Sequence, residues 1–370
     1  MNAKHVANAL KYFFNLIVKW RFKGAKEYVE LYSIIPKLMG FYAKTTVEYK
    51  AALLYEYAKY LYYADNKDQA YLLQCVPRAL YRYYLSHKTR HYELGSNAID
   101  KWRFYQLMVE NGLLIPETYA LKKDDQFFDL KGKVVNVEEF PDGEIFFTKP
   151  FDSSGGLSTS IATKQQLREL ANGFMVQEVL KNSGSIKEIS GTTSPFNTIR
   201  VYTFISPKTL KMHLLSATLK IGALDSITDN LGKGGVGVPI DCSSGKLGEY
   251  GVSEYSKEKY YEIQLGSRKF ANCSISEWSN ILDYLHKASM IIGTQFVGWD
   301  IGITDKGVVA VEANSGGAHF FPQVYFEPFL FSPYIKAFVA NEKDHKWIKM
   351  WRLKLRNKFP EIEERIYTKE

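Results

Sequence analysis

The stretch "WDIGITDKGVVAVEAN", residues 299–314, has the pattern of a tight β-hairpin that carries acidic side chains. Residues 297–303 and 308–313 are rich in Val and Ile and predict two strands. Between them, Asp305-Lys306-Gly307 fits a three-residue loop whose last residue takes the left-handed conformation. The segment therefore predicts two antiparallel strands with a defined register.

In that register Thr304 faces Val308, and Asp300 lies directly opposite Glu312. Asn314 is two residues beyond Glu312 and points to the same face. Two facing carboxylates repel each other and destabilise a sheet. A divalent cation between them removes this conflict, and two acids with an amide oxygen suit Mg²⁺. The alternative is a solvated hairpin face with unpaired acids, and the hairpin alone does not decide between the two.

Length and composition describe a globular chain with two or three structural units. The chain has 370 residues, of which 46% are hydrophobic and 24% charged, and it shows no internal repeat. The longest apolar stretches, such as "YFFNLIV" at 12–18, are too short to span a bilayer, and no signal peptide is recognised. Cys75, Cys242 and Cys273 are widely spaced, which disfavours a disulfide scaffold or a cysteine zinc site. We therefore expect a cytoplasmic protein.

The net charge of +8 is concentrated in the N-terminal quarter of the chain. Residues 1–92 contain 15 Lys and Arg, 6 Asp and Glu, and 15 of the 26 tyrosines. Apolar positions three and four residues apart predict that 1–95 is a helical, basic, Tyr-rich region. It has the charge to meet an anionic membrane surface or glycan, although we favour packed tyrosines and solvated lysines, and we expect no nucleic-acid partner.

The C-terminal segment, 336–370, predicts a second basic element. Within "DHKWIKMWRLKLRNKF", Trp347, Trp351 and Leu355 share one helical face, and seven Lys and Arg occur between 343 and 358. Such an amphipathic helix either lies at a membrane interface or packs its tryptophans on its own domain. We favour packing.

From residue 96 onward the pattern changes to one helix followed by short strands and glycine-rich turns. "AIDKWRFYQLMVENG" predicts a helix closed by Gly112. "EIFFTKP" and "FMVQEVL" predict strands, and "NTIRVYTFIS" with "KMHLLSATLKIG" predicts a strand pair. "TKQQLRELANG" predicts a short helix capped by Thr163.

Two glycine-rich segments bear on phosphate binding. In "TKPFDSSGGLST", Lys149 ends a predicted strand and a flexible loop follows it. The loop comprises Ser153, Ser154, Gly155 and Gly156. Backbone N–H groups of such a loop approach phosphate oxygens closely, and the lysine supplies charge. "GKGGVG" at 232–237 fits G-x-G-x-x-G but opens no helix, so we interpret it as a glycine-rich hairpin or substrate loop, not a dinucleotide site.

Taken in order, these segments resemble an ATP-grasp enzyme over about residues 97–325. The succession is "DKWRFYQLMVENGLLIPETY", "FFTKPFDSSGGLST", "FMVQEVL", "NTIRVYTF", "TDNLGKGGVGVPID" and "GWDIGITDKGVVAVEANSGG". "NTIRV", "DNLGKGG" and "GWDIGIT" are most similar to the sugar-transfer-associated ATP-grasp branch, near the α-L-glutamate ligase relatives.

The resemblance implies an α+β, ATP-grasp fold in which two subdomains sandwich ATP. A helical region at 1–95 replaces the N-terminal α/β domain of many ATP-grasp ligases. We expect a central or lid subdomain at 96–178, a C-terminal subdomain with the metal site at 179–335, and the basic amphipathic helix at 336–370.

The resemblance also implies a set of site residues. Lys149 and Arg200 are implied to be catalytic, with Lys149 on the nucleotide phosphates and Arg200 on the transferred phosphate. The implied ATP-binding residues are Lys101, Lys149, Ser153, Ser154, Gly155, Gly156, Gln177, Glu178, Val179, Lys220 and Asn230. Asp300, Glu312 and Asn314 are the implied Mg²⁺ ligands, so the facing acids of the hairpin become a metal cradle.

The implied reaction is ATP-dependent ligation of a carboxylate to an amine through an acyl phosphate. The substrates are expected to be small-molecule or glycan-linked carboxylates and amines, such as a sugar or polysaccharide precursor or an amino acid. Two alternatives stay open. One is a kinase-like enzyme that stops at phosphoryl transfer. The other is a non-catalytic adaptor in a glycan-synthesis complex, held peripherally at the inner face of the membrane through its basic termini.

Overall fold

The computed structural model describes residues 101–151, 158–191, 195–205, 210–224, 226–254, 256–263, 268–314 and 320–326. The predicted helical region at 1–95, the glycine loop at 153–156 and the C-terminal helix at 336–370 lie outside these residues. Both sheets and the first four described helices belong to one compact unit, and the fifth helix belongs to a second unit.

The described helices are mostly short, and the strands fall into two groups along the chain. The helices are α1 Lys101–Glu110, α2 Lys164–Leu167, α3 Gly184–Ser190, α4 Trp278–Ile292 and α5 Phe320–Tyr325. The strands of the first group are β1 Thr118–Lys123, β2 Gln126–Phe128, β3 Val134–Val135, β4 Ile145–Pro150, β5 Ser160–Thr163 and β6 Phe174–Glu178. Those of the second group are β7 Thr198–Ile205, β8 Met212–Ile221, β9 Val236–Ile240, β10 Gly251–Ser253, β11 Lys259–Tyr260, β12 Phe296–Thr304 and β13 Gly307–Asn314.

The first group forms a six-stranded antiparallel sheet with the order β3-β2-β1-β6-β4-β5. We call it the lid sheet. One face packs on its own apolar cluster, which includes Phe127, Phe140, Phe146 and Leu167. Thr163 caps α2 as predicted, with its side chain and that of Gln166 exchanging hydrogen bonds with the backbone. Phe146 and Lys149 are three residues apart on β4, so Lys149 points to the face opposite this cluster.

The second group forms a seven-stranded antiparallel sheet with the order β11-β10-β9-β8-β7-β12-β13. We call it the central sheet. The predicted pairing of β7 with β8 is confirmed. Its apolar face contributes Val201, Leu219 and Trp299 to a large core cluster that also contains buried residues of α1 and α4. The other face is left for polar and charged side chains.

Helix α4 was not among the predicted elements. Ile281, Leu285, Ala288 and Ile292 recur at helical spacing and are buried in the core cluster. The signal for this helix was therefore present in the sequence as an ordinary amphipathic pattern.

The β12–β13 hairpin closes one residue earlier than predicted. Thr304 pairs with Gly307 instead of Val308, so the loop has two residues and the predicted three-residue loop is wrong. The Thr304 side chain explains the difference, because its hydroxyl donates to Gly307 O at 3.0 Å and accepts from Lys306 N at 3.2 Å. These bonds hold the shorter turn.

The same hairpin nevertheless pairs Asp300 with Glu312, as predicted. Between Ile301 and Asp300 the register shifts by one residue, so that Ile301 pairs with Ala310 and Val311 is the extra residue of β13. The shorter turn alone would shift the pairing by one residue and turn Glu312 to the face opposite Asp300. The bulge at Val311 shifts the pairing by one residue in the other sense, so Asp300 again faces Glu312. The facing acids thus depend on an irregularity that the strand pattern did not reveal.

Two glycines of β12 leave room for aromatic rings on the charged face of the central sheet. A Cβ atom at Gly302 would lie 2.3 Å from the ring of Phe196, and one at Gly298 would lie 2.9 Å from the ring of Tyr202. Both distances are too short for ordinary contact. Glycine at these positions therefore lets the rings pack beside Asp300.

We expect Gly302→Ala to lower the free energy of unfolding by about 1–3 kcal/mol, because the Phe196 ring must move from its packed position. Urea denaturation measures the change. Gly184→Ala is the matched control, since nothing lies within 4 Å of a Cβ there. Equal stability of Gly302→Ala and wild type would show that the close contact does not constrain the fold.

Two expectations can be compared with the described fold directly. The α+β class with two antiparallel sheets is confirmed. The subdomain boundaries stay a prediction. None of the helices in the described residues is long and apolar enough to cross a membrane.

Candidate active site

One row of opposed side chains crosses four strands of the central sheet. Glu312 on β13 pairs with Asp300 on β12, and Asp300 in turn pairs with Arg200 on β7. Arg200 pairs with Thr218 on β8. Directly opposed residues of antiparallel strands project to the same face, so the four side chains lie side by side.

The neighbouring rows add two more of the predicted site residues to this face. Lys220 is two residues beyond Thr218 and pairs with Thr198 of β7. Asn314 is two residues beyond Glu312 and pairs with Gly298 of β12. Alternate residues of a strand share a face, so both side chains stand beside the central row.

Asp300 is the centre of a buried ion-pair network. Arg200 donates to it through two bonds, Nε to Oδ1 at 2.7 Å and Nη2 to Oδ2 at 2.8 Å. Lys220 Nζ lies 3.0 Å from Oδ1. A two-point arginine–carboxylate contact is among the strongest polar contacts in proteins. Only 5% of the surface of Asp300 is exposed, so both cations neutralise a charge that water does not reach.

The pKa values of the network follow from burial and from these pairs. Burial raises the pKa of Asp300, but Arg200 and Lys220 outweigh it and bring the pKa down to about 2. Burial likewise lowers the pKa of Lys220, and Asp229 together with Asp300 reverses this, so the net direction is upward. Burial opposes the charge of Arg200 as well, and the Asp300 carboxylate outweighs it and raises the pKa. All three groups are therefore charged near neutral pH.

Asp229 is a site residue that the sequence analysis missed. Its Oδ2 accepts from Thr198 N at 2.7 Å and also from the hydroxyl of Thr198. Its Oδ1 lies 3.3 Å from Lys220 Nζ. Asp229 and Asp300 thus both form ion pairs with Lys220. The "TDN" segment carried the only signal, and only its Asn230 had been selected.

Lys149 reaches the charged face from the lid sheet. It is 7% exposed, and its Nζ donates to the hydroxyl of Tyr105 at 2.7 Å. Burial lowers the pKa of Lys149 to about 8, against the opposing effect of Glu312 and Asp300. The two acids are therefore close enough to act on this lysine. Tyr105, on α1, is a second residue that the sequence analysis missed.

Lys101 is brought to the same place by the first turn of α1. Its Nζ lies 3.5 Å from Oε1 of Glu312. Both side chains are partly exposed, so this pair is weaker than the Arg200–Asp300 pair. The structure thus brings Lys101, Lys149, Arg200 and Lys220 together, as the resemblance implied.

The residues predicted to receive the adenine lie at the end of β6. Gln177 is buried and donates to Thr118 Oγ1 at 2.7 Å. Glu178 accepts from Glu117 N at 2.8 Å and from Lys306 Nζ at 2.9 Å, so its carboxylate joins the lid sheet to the β12–β13 turn. Val179 follows β6 directly and is half-buried.

The lid sheet also offers apolar surface on the Lys149 face. Phe147 is two residues from Lys149 and pairs with Ile161 on one side and Gln177 on the other. The Ile161 side chain is exposed and Phe147 is half-buried. The Lys149 face of the lid sheet thus carries apolar side chains beside the lysine.

Asn230 has a local structural contact. It precedes the single 3₁₀ turn Leu231–Lys233, and its side chain accepts from Gly232 N at 2.9 Å. Gly234 ends this turn with a left-handed φ of 88°. The segment "GKGGVG" is thus a short turn leading into β9, consistent with rejecting a dinucleotide site.

The donor set fits a magnesium–nucleotide complex. Among the described residues no group of three His, Cys, Asp or Glu side chains is placed to hold a metal, so an ion here relies on two carboxylates and Asn314. The side chain of Asn314 makes no hydrogen bond to another described residue. Mg²⁺ is usually held by one or two carboxylates together with phosphate oxygens, which this site can accommodate. Within the described chain, the buried hydroxyl of Thr218 is also without a partner beside Arg200.

Residues 167–333 match the family model described as sugar-transfer associated ATP-grasp. The match contains Arg200, Asp300 and Glu312, whose side chains form the central row. The segment is therefore similar to sugar-transfer associated ATP-grasp proteins. Lys101 and Lys149 precede the matched segment. ATP-grasp proteins are ligases that form carbon–nitrogen bonds, so the expectation of an ATP-grasp ligase is confirmed at this level.

The similarities of this chain to individual proteins are distant. Among curated proteins none matches the chain. The chain is similar to the structure of the ATP-grasp ligase PsnB with minimal precursor, Mg and ADP, at 15% identity and a TM-score of 0.40, over 72% of this chain and 68% of that chain. It is similar to D-alanyl-alanine synthetase A from Vibrio cholerae at 13% identity and a TM-score of 0.40, over 67% and 66% of the two chains.

A third similarity is to L-amino acid ligase from Bacillus licheniformis, at 11% identity and a TM-score of 0.35. It covers 60% of this chain but 41% of that chain, so this chain spans less than half of that relative's length. No residue role or substrate is carried over from these similarities.

Proposed function

We propose that this chain is an ATP-dependent carboxylate–amine ligase that forms an amide through an acyl phosphate. The observation that carries the proposal is the convergence of four cations on one acidic row. Lys101, Lys149, Arg200 and Lys220 surround Asp300 and Glu312. Phosphoryl transfer depends mainly on positioning and on neutralising negative charge, and this is the arrangement that it requires.

The cations have separate tasks in this proposal. Lys101 and Lys149 bind nucleotide phosphates, and Lys149 does so from the lid sheet. Arg200 stabilises charge on the γ-phosphoryl group as it moves to the substrate carboxylate, because its planar fork suits phosphate geometry. Lys220, held between Asp229 and Asp300, keeps the Asp300 carboxylate charged and in place.

The acids and the lid complete the site. Asp300, Glu312 and Asn314 would hold Mg²⁺, which neutralises charge between the β- and γ-phosphates when it is bound. The apolar side chains of Phe147 and Ile161 would cover the adenine, and Gln177, Glu178 and Val179 would hold its edge. The glycine-rich segment 153–156 would supply backbone N–H groups to the phosphate oxygens.

The acyl phosphate is consumed by the amine. The amine nitrogen attacks the acyl carbon, the C–O bond to phosphate breaks, and inorganic phosphate leaves as the amide forms. The net products are ADP, phosphate and an amide. This balance distinguishes a ligase from a kinase-like enzyme, whose product keeps the phosphate.

The substrate and location belong to the same proposal. The sugar-transfer association in the family description supports a sugar or polysaccharide precursor as a substrate, and an amino acid is the alternative. We place the protein in the cytoplasm, with peripheral contact to the inner face of the membrane or to a glycan-synthesis complex through the basic segments 1–95 and 336–370. The subdomains at 96–178 and 179–335 are the two halves of the ATP site.

Thermal unfolding with ATP and Mg²⁺ tests the nucleotide site, with wild type beside Glu312→Gln. A ligand at about 100 times its dissociation constant adds roughly 2.7 kcal/mol of stability. We expect a Mg²⁺-dependent increase in wild type that is lost in Glu312→Gln, because the acid facing Asp300 is gone. Glu169→Gln, an exposed acid on the lid side, is the control with the same charge change and should behave as wild type.

Hydroxylamine then tests the chemistry, since it captures an acyl phosphate as a hydroxamate. Incubation with ATP, Mg²⁺ and a panel of sugar acids and amino acids should give a hydroxamate together with ADP. A stable phosphoester without hydroxamate would favour the kinase-like alternative. If ATP with Mg²⁺ stabilises neither protein, the catalytic proposal fails.

A further inference from the structure

The hydroxyl of Tyr105 joins the two sheets at the candidate site. Tyr105 belongs to α1 and is fully buried. Its hydroxyl donates to the main-chain oxygen of Val311 on β13 and accepts from Lys149 Nζ at 2.7 Å. The same ammonium group lies 5.1 Å from the centre of the Tyr105 ring. One side chain therefore contacts both the lid sheet and the central sheet.

The direction of both hydrogen bonds is determined by chemistry. An ammonium group only donates and a main-chain oxygen only accepts, so the hydroxyl proton must point to Val311. Burial raises the pKa of Tyr105 far above its ordinary value, so the hydroxyl keeps this proton. Removal of the oxygen would leave a buried carbonyl and a buried ammonium group without this partner, which is costly for both.

The carbonyl that Tyr105 binds belongs to the extra residue of β13. Val311 lies where the register shifts between the Ile301–Ala310 and Asp300–Glu312 pairs. Without this shift Glu312 would turn to the opposite face of the sheet, away from Asp300. The Tyr105 hydroxyl is thus bonded to the irregularity that brings the two acids together.

The ammonium group that Tyr105 binds has few other contacts. Among the residues that the structure describes, Tyr105 is the hydrogen-bond partner of Lys149 Nζ, and no carboxylate forms an ion pair with it. The ring face adds a cation–π contact. The position of the Lys149 charge over the acidic row is therefore set mainly by Tyr105.

We propose that Tyr105 is a positioning residue for the nucleotide site, which fixes the Lys149 ammonium group and the Glu312 carboxylate relative to each other through its hydroxyl. It acts through these two residues and does not itself touch the nucleotide. The inference rests on the proposed function, because it assigns Lys149 and Glu312 to ATP and Mg²⁺.

Tyr284 offers a matched control. It is a buried tyrosine of α4 whose hydroxyl also donates to a main-chain oxygen, that of Leu114, at 2.6 Å. Burial raises its pKa as it does that of Tyr105. It has no hydrogen bond to Lys149 among the described residues. Tyr284→Phe therefore removes the same atom from a similar environment without removing a contact of Lys149.

A double-mutant cycle measures whether Tyr105 acts through Lys149. The probe is a non-hydrolysable ATP analogue with Mg²⁺, and the readout is its dissociation constant by calorimetry in the full chain. We expect Tyr105→Phe to weaken binding about tenfold, in line with the loss of one hydrogen bond to a charged group. In a protein that already carries Lys149→Met, Tyr105→Phe should raise the dissociation constant by less than about twofold, because the ammonium group that Tyr105 positions is absent.

The magnesium dependence tests the second contact. Tyr105→Phe should raise the Mg²⁺ concentration needed for half-maximal binding of the analogue, whereas Lys149→Met should not. Tyr284→Phe should lower the urea midpoint as Tyr105→Phe does, with analogue binding and Mg²⁺ dependence unchanged. A purely structural role for Tyr105 predicts the same behaviour for both tyrosines.

The outcomes separate this inference from the proposed function. If wild type binds the analogue but Tyr105→Phe weakens binding equally with and without Lys149, the positioning role is wrong and the proposed function stands. The same conclusion follows if Tyr105→Phe binds the analogue as tightly as wild type does. If wild type does not bind the analogue, the proposed function is wrong and the inference fails with it.

Discussion

Asp300→Asn is expected to lower the free energy of unfolding by about 3–5 kcal/mol, because it leaves Arg200 and Lys220 buried beside a neutral amide. Removal of one partner of a buried pair leaves the other charge uncompensated, and here two cations face the same carboxylate. The substitution changes almost no volume, so the loss reports charge and not packing. It should also abolish Mg²⁺-dependent stabilisation by ATP.

Urea denaturation of wild type and Asp300→Asn measures this effect. Asp283→Asn is the control, since Asp283 is exposed on α4 and its substitution should change stability by less than about 0.5 kcal/mol. A second variant, Arg200→Met with Asp300→Asn, removes the carboxylate and one of its two cations, so it should recover part of the lost stability but none of the ATP response. A stable Asp300→Asn protein that still responds to ATP with Mg²⁺ would contradict the proposed role of the network.

The difference in free energy of unfolding between wild type and Asp300→Asn should change with pH in one direction. The folded-state pKa of Asp300 is about 2, below its ordinary value of 3.8. The ion pairs of Asp300 therefore stabilise the fold fully at pH values above 3.8. As the pH falls through this range the carboxylate takes up a proton and the contribution is lost. The stability gap between wild type and Asp300→Asn should therefore narrow from about pH 4 to about pH 2.

Lys149→Met is expected to weaken ATP binding by about 10- to 100-fold, the loss of one hydrogen bond between charged groups. Its effect on stability should be the opposite of that of Asp300→Asn. The ammonium group is buried and burial lowers its pKa to about 8, so the folded state disfavours the charge. Methionine has a similar length and no charge, so the variant should be as stable as wild type or more stable.

Calorimetric titration with the ATP analogue and Mg²⁺, together with urea denaturation, measures both effects. Lys123→Met, an exposed lysine of the same sheet, is the control and should change neither quantity appreciably. The ratio between the dissociation constants of Lys149→Met and wild type for the analogue should become smaller as the pH rises through about 8, because Lys149 loses its proton there.

The stability of wild type should change in the same range of pH. The pKa of Lys149 is about 8 in the folded state and 10.5 ordinarily, so the unfolded state binds more protons between these values. Wild type should therefore gain stability relative to Lys149→Met as the pH rises from about 8 to 10.5. Equal binding by Lys149→Met and wild type would remove this lysine from the nucleotide site.

Local patterns predicted much of the fold because they act over a few residues. Richness in Val and Ile predicted β12 and β13, Thr163 predicted the start of α2, and two adjacent apolar runs predicted the β7–β8 pair. Helix α4 has an equally clear amphipathic pattern, so its sequence contains the signal for a helix. The hairpin loop was predicted one residue too long because the Thr304 side chain favours the shorter turn.

The chain order of lysine, glycine loop, arginine and acids was enough, by sequence alone, to predict a resemblance to ATP-grasp proteins and to select candidate side chains for ATP and Mg²⁺, and residues 167–333 match a family model of that kind. The tertiary structure decided how those side chains are held. Tyr105 and Val311 are 206 residues apart, yet their hydrogen bond lies at the register shift that puts Glu312 opposite Asp300. Arg200 and Asp300 are 100 residues apart and pair in the same way, on neighbouring strands of the central sheet. Such contacts form only when the sheets and helices pack, and no spacing along the chain encodes them.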